Sequence, residues 1–280
     1  MIWFIISLVF AGDITPNQAN CVDNVVVVFD ASGSMQSKMP GTEISKVSIA
    51  KDALISVVRN INSNTKIGII VFGSGSGWIY PIDYKNETTL IAAISTITPT
   101  GGTPLGDYIK KGADCLLKQR KKQFGYGSFR LLVITDGEAD LGQRVDERVQ
   151  EILSRGIIVD AIGVGMDKNH TLATKVNSYR KGNDPESLTR AIKQTFAEIE
   201  QKGSTSNINE DFQLLQGLDS NVAAQAITVL SVLQNQPIGE KPIVSSVQLK
   251  EDKGNTIGIV SVILVCSVIV TIIVFIRKFS

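Results

Sequence analysis

With one histidine and three cysteines in 280 residues, and no phosphate-binding loop, the chain lacks the parts of most familiar chemistries. A single imidazole, His170, excludes histidine dyads and the two-histidine HExxH zinc motif, and it is read as a surface residue. No cysteine spacing matches a zinc ribbon. Cys266 sits inside an apolar run, so only Cys21 and Cys115 remain to pair, and an oxidising compartment permits that bridge without requiring it. Neither a G-x-x-x-x-G-K-[ST] loop nor a G-x-S-x-G elbow occurs, which leaves nucleotide hydrolysis and serine-hydrolase chemistry without a foothold. Charge of one sign is also missing. The 28 Lys and Arg stand against 27 Asp and Glu, so no broad positive field draws in nucleic acid. Even the densest basic cluster, Lys118, Arg120, Lys121 and Lys122, falls near the end of an expected helix, where cations complement the helix dipole and solvate the surface. No internal repeat of about 20 to 50 residues is visible, which excludes solenoids and propellers.

What is present begins at the two ends. Residues 257–276, IGIVSVILVCSVIVTIIVFI, carry no charge. About 20 helical residues at roughly 1.5 Å each match a hydrocarbon core of about 30 Å, so this segment is expected to be a transmembrane helix. Arg277 and Lys278 follow it while Glu251 and Asp252 precede it. The positive-inside rule then puts the tail 277–280 in the cytoplasm and everything before the span outside, in a periplasm or at a cell surface. At the other end, Ile2 to Phe10 form a short apolar stretch, and Val9 and Ala11 suit signal peptidase, so residues 1–11 read as a signal peptide. That stretch has no preceding Lys or Arg, which keeps an uncleaved N-terminal anchor, or a start codon placed elsewhere, open.

Between the ends, short β-branched runs alternate with segments of helical period, the pattern of an α/β fold: a doubly wound, mostly parallel sheet with helices on both faces. Runs 25–29, 66–72, 129–135 and 157–164 predict buried central strands, and 78–82, after the glycine-serine stretch 73–77, predicts an edge strand joined by a hairpin. Helices are expected over 44–60, 88–95, 105–121, 144–154 and 185–201. In the last of these, Leu188, Ile192, Phe196 and Ile199 recur at three- and four-residue steps and form a face for the sheet. After Gly203 the texture turns to Ser, Asn, Gln and Gly. Residues 203–256 read as a juxtamembrane stalk with a short helix over 221–233. Asn86 and Asn169 stand in N-x-T sequons, of consequence only in a host that glycosylates exported proteins.

The chemistry gathers in three loops. VVVVFDASGSM ends an apolar strand in Asp30 and presents Ser32 and Ser34; TPTGGTPLG offers Thr103; LLVITDGEAD places Asp136 at another strand tip. Open α/β sheets bind their ligands at the carboxyl ends of strands, so the three loops are expected to converge on one point as exposed turns. Each piece also has a plainer use. Asp30 or Ser32 serves as a helix cap, Asp136 as a turn residue, and Thr103 before Pro104 as an N-cap compatible with touching a metal. Together, two carboxylates and three hydroxyls suit a hard divalent cation, which takes oxygen ligands, Mg²⁺ first with Mn²⁺ and Ca²⁺ as alternatives.

Asp30-x-Ser32-x-Ser34, Thr103 in GGTPLG and Asp136 in TDG resemble the metal-ion-dependent adhesion site of von Willebrand factor type A domains, with all five positions filled. The resemblance spans residues 24–201 and includes the glycines of Gly163 to Gly165. It implies that the serines touch the metal, that the threonine does so directly or through water, that the aspartates act largely through water, and that an open position takes an Asp or Glu carboxylate from a protein partner. The resemblance further implies a binding protein and not an enzyme. Two rivals remain: a scaffold subunit of a membrane complex that makes no metal-mediated contact, and a haloacid dehalogenase-like, Mg-dependent phosphohydrolase using Asp30 and the Asp136 to Asp140 motif. The second would need a general acid two residues after Asp30, where this chain has Ser32.

Overall fold

The computed structural model describes residues 22–202, apart from 74–76, 124, 126, 167 and 169, together with residues 235–240. The expected signal peptide, the 221–233 helix, the 257–276 span, the 277–280 tail and Cys21 lie outside the described residues. Among the described residues no helix is long and apolar enough to cross a membrane, and Cys115 carries a free, half-buried thiol.

Strands β1 (Asp23–Ala31), β2 (Thr65–Gly73), β3 (Gly77–Tyr84), β4 (Phe129–Thr135), β5 (Ile158–Val164) and β6 (Ser178–Gly182) form one sheet in the order β3-β2-β1-β4-β5-β6. Every neighbouring pair is parallel except β2 with β3, which is the hairpin expected around the 73–77 glycines. Helices α1 (Lys46–Val58), α2 (Glu87–Ser95), α3 (Leu105–Lys122), α4 (Val145–Ser154) and α5 (Pro185–Lys202) cover it. The four valines of β1 show why such a strand must lie at the centre. Val25 and Val27 enter the core beneath α1, α2 and α5, and Val26 and Val28 enter the core beneath α3 and α4, all completely buried. A strand apolar on both sides needs a layer on both sides.

Caps set the start of two helices. The Ser45 side chain accepts the Ser48 N–H at 3.4 Å to open α1, and Asn86 accepts the Thr89 N–H at 3.1 Å to open α2. Thr103 does not cap α3. The helix begins at Leu105 with Pro104 in the cap position and no side-chain cap hydrogen bond. The edge strand β6 is absent from the sequence expectation, because Ser-Tyr-Arg-Lys-Gly has no apolar run and its first four residues are only half-buried. Two residues read as surface are interior: His170 is buried, and so is Arg120 from the basic cluster.

Candidate metal centre

β1 and β4 lie side by side and parallel, so both deliver their last residues to the same edge of the sheet. Asp30 is the penultimate residue of β1, with its side chain fully buried. Its Oδ1 accepts the Ser32 N–H at 2.8 Å, a local turn that throws the following serines forward, and its Oδ2 accepts the Thr135 hydroxyl at 2.6 Å. Burial pushes the Asp30 carboxyl above its ordinary range, opposed by the hydrogen bonds from Ser32 and Thr135. A nearby divalent cation would act in the same direction as those bonds, by favouring the ionised form.

From Ser32 the donors run in a string. The Ser32 and Ser34 hydroxyl oxygens are 3.0 Å apart, and the Ser34 hydroxyl donates to Asp136 Oδ1 at 2.6 Å. Ser32 precedes a single turn of 3-10 helix, Gly33–Gln36, but makes no side-chain cap bond, so its hydroxyl faces Ser34 instead. Asp136, just past β4, uses its other oxygen to accept from the Lys46 ammonium at 3.0 Å. Lys46 is 13% exposed and passes close to Gly165, whose φ of +56° favours glycine and where an added Cβ would come within 2.9 Å of the Lys46 Cε.

Thr103 arrives on the third loop. That loop is tied to the first by Gly33 N–H to the Gly101 carbonyl at 3.0 Å and Thr100 N–H to the Ala31 carbonyl at 2.8 Å. Thr103 is tied to the Asp136 loop through Asp140, whose carboxylate accepts the Thr103 N–H at 2.8 Å and whose own N–H returns a bond to the Thr103 carbonyl at 3.0 Å. The structure thus brings Asp30, Ser32, Ser34 and Asp136 into one hydrogen-bonded string, with Thr103 on an adjoining loop. Asp30, Ser32, Thr103 and Asp136 are buried, correcting the expectation of exposed turns, and Ser34 alone is open to solvent. The loops bury one another.

The resemblance assigns no role to the groups that hold these loops. Thr135, Asp140 and Lys46 fill that role, and His170 adds a further brace: its Nε2 donates to the Gly137 carbonyl at 2.8 Å while Nδ1 accepts the Leu172 N–H at 2.9 Å. No local pattern marks Lys46 or His170, since their partners lie 90 and 33 residues away in the chain. The donors are all oxygens, two carboxylates and three hydroxyls, which fits a hard divalent cation. Among the described residues no group of three His, Cys, Asp or Glu side chains offers a competing site.

Residues 24–202 match the family model described as von Willebrand factor type A domain. Among curated proteins the chain is 28% identical over 168 residues to "Uncharacterized protein YwmC" of Bacillus subtilis, covering 55% of this chain and 71% of that one. Among solved structures the fold is similar to the PilB minor pilin of Streptococcus sanguinis, at a TM-score of 0.52 and 17% identity, covering 65% of this chain and 62% of that one. It is equally similar to BatB of Bacteroides thetaiotaomicron, at a TM-score of 0.52 and 22% identity, covering 64% of this chain and 99% of that one.

Proposed function

Because this chain belongs to the von Willebrand factor type A domain family, we propose that it binds a protein partner through a divalent cation, Mg²⁺ before Mn²⁺ or Ca²⁺, held by Asp30, Ser32, Ser34, Thr103 and Asp136. One observation carries the reading: the string from Asp30 through Ser32 and Ser34 to Asp136, in which one carboxylate has hydroxyl and amide donors and the other has a hydroxyl and one lysine. The cation supplies Lewis acidity toward a further anionic oxygen. The chain's residues hold its ligands in place: Thr135 fixes the Asp30 rotamer, Asp140 the Thr103 backbone, and His170 the turn after Asp136. Hydroxyl ligands neutralise little of the metal charge, which favours an Asp or Glu carboxylate from the partner. The domain works outside the cytoplasm, anchored by 257–276. A pilus protein among the structural neighbours is consistent with surface recognition.

The phosphohydrolase reading loses support. Asp140, which it requires near the metal, gives a carboxylate oxygen to the Thr103 N–H, and Ser32 stands where a general acid is needed.

The test is binding of the exported domain to its native partner in Mg²⁺ and in EDTA, with calorimetric titration of Mg²⁺ alone. Ser34→Ala removes one of the two donors to Asp136 and should weaken both bindings, with a smaller loss of stability than Asp136→Ala. Asp136→Ala should abolish both and cost on the order of 1–3 kcal/mol in stability, from the two charge-assisted bonds lost. Partner binding that survives EDTA and both substitutions makes the protein a scaffold and overturns the metal-bridged reading.

A further inference from the structure

A second convergence of polar groups lies at the opposite end of the sheet and serves no metal. Residues 235–240, Asn-Gln-Pro-Ile-Gly-Glu, come from the expected stalk, yet they sit against the C-terminal halves of α3 and α4. Ile238 is completely buried and belongs to the same core cluster as Leu116, Leu117 and Ile152. Burying an isoleucine contributes about 1.5–3 kcal/mol relative to leaving it exposed.

The main chain around that side chain is hydrogen-bonded to the groove. The Ile238 N–H donates to Asp114 Oδ1 at 2.7 Å, and the Gly239 N–H donates to the Glu151 carboxylate at 3.0 and 2.8 Å. In the other direction, Arg120 Nε donates to Asn235 Oδ1 at 2.8 Å and Arg155 donates to the Gln236 carbonyl. The two arginines are themselves buried, and Arg120 donates also to the Arg155 carbonyl. Burial, with the Arg155 charge beside it, pushes Arg120 down to about 10. Neighbouring buried guanidinium groups need acceptors, and the segment brings two, while the groove's carboxylates take the segment's two amide donors. This match is more than an apolar residue finding a gap, because the acceptors of Asn235 and Gln236 meet the groove's arginines while the amides of Ile238 and Gly239 meet its carboxylates.

We propose that the α3/α4 groove is a peptide-recognition site whose occupant is this chain's own Asn235–Glu240 segment, clasped in cis so that the base of the domain is fixed to the chain leading toward 257–276. Where 257–276 anchors the protein, a consequence that rests on the reading above, the clasp keeps the candidate metal site at the end of the domain away from the point of attachment.

The test uses the full chain in detergent and follows hydrogen exchange at the Ile238 and Gly239 amides, with a labelled synthetic peptide of residues 233–242 as probe. In the wild type both amides should be protected, independently of protein concentration, and the peptide should not bind because the groove is filled. Ile238→Asp should lower that protection at least about tenfold and open the groove, so that the peptide binds saturably. Adding Glu151→Ala on the groove side should weaken that peptide binding. Unprotected amides in the wild type, or a peptide that ignores the opened groove, overturns the proposal. Protection that rises with concentration alongside a dimer gives the groove to a second copy and overturns the cis clasp. None of these readouts involves metal or partner, so absence of Mg²⁺ binding in the wild type and every variant alike counts against the metal reading and leaves the clasp standing.

Discussion

At the carboxyl edge of the sheet, Asp30 lies fully buried among hydroxyl and amide donors, whereas at the other end Asp160 of β5, 1% exposed, is paired with an arginine. Arg130 of β4 reaches Asp160 at 2.5 Å and the Glu198 carboxylate on α5 at 3.6 Å, and Arg180 of β6 bonds the same Glu198. A buried carboxylate needs compensation for its lost hydration, and each end supplies it in a different way. The base carries its cations as side chains and is closed. The site edge carries one lysine for two carboxylates.

The largest effect that tests this contrast is at the base. Arg130→Ala strips Asp160 of its partner and should cost about 3–5 kcal/mol in urea unfolding. Two buried atoms of the pair, Arg130 Nε and Asp160 Oδ1, have no hydrogen-bond partner among the described residues, so the pair is imperfectly satisfied. The double variant Arg130→Met with Asp160→Leu should therefore recover most of that loss. At the site edge, by contrast, Asp30→Asn should change stability far less while abolishing Mg²⁺ binding. If the double variant is as unstable as the single one, the base pair is contributing more than mutual neutralisation.

The same contrast explains what the sequence disclosed. The fold was legible because β1, β2, β4 and β5 are apolar on both faces, and two of the site loops because each follows such a strand, while the Thr103 loop was marked by its glycines and the proline opening α3. β6 was not, since Arg180 and Lys181 interrupt any apolar pattern at that edge. Burial of the site residues was missed for a related reason. Loops look polar one at a time, and only their contacts with one another, such as Thr103 with Asp140, remove them from water. Arg120 and His170 were misread as surface because the groups that receive them come from distant segments, at Asn235 and Gly137. Clasp residues 235–240 had no periodicity to betray them.

An intermediate effect tests whether the site edge is held by loop contacts instead of ion pairs. Gly106, in the first turn of α3, sits so close to the Asp136 loop that an added Cβ would fall 2.0 Å from the Gln143 carbonyl oxygen. Gly106→Ala should cost about 1–3 kcal/mol by overpacking. More diagnostically, it should weaken Mg²⁺ binding in calorimetry, because it pushes Thr103 away from the loop that carries Asp136. Unchanged Mg²⁺ affinity alongside the lost stability would mean that Thr103 takes no part in the site.

The smallest effect lies on the seam between α3 and α4, at the site end. Arg148 bonds Asp107 at 2.6 Å, and that hydrogen bond is the main reason the Asp107 carboxyl is held below its ordinary range. A carboxyl depressed in the folded state stabilises above its unfolded pKa of about 3.9, and the contribution is lost as pH falls through the lower folded value. Asp107 is 50% exposed, so solvent screens the pair and its worth is below about 1 kcal/mol. Arg148→Ala should thus lower the urea midpoint slightly at neutral pH and not at all once pH drops below the folded value. A difference that persists in acid would come from the packing of the Arg148 stem, and the weak, exposed pairing attributed to this end of the seam would no longer contrast with the buried arginines that close its base.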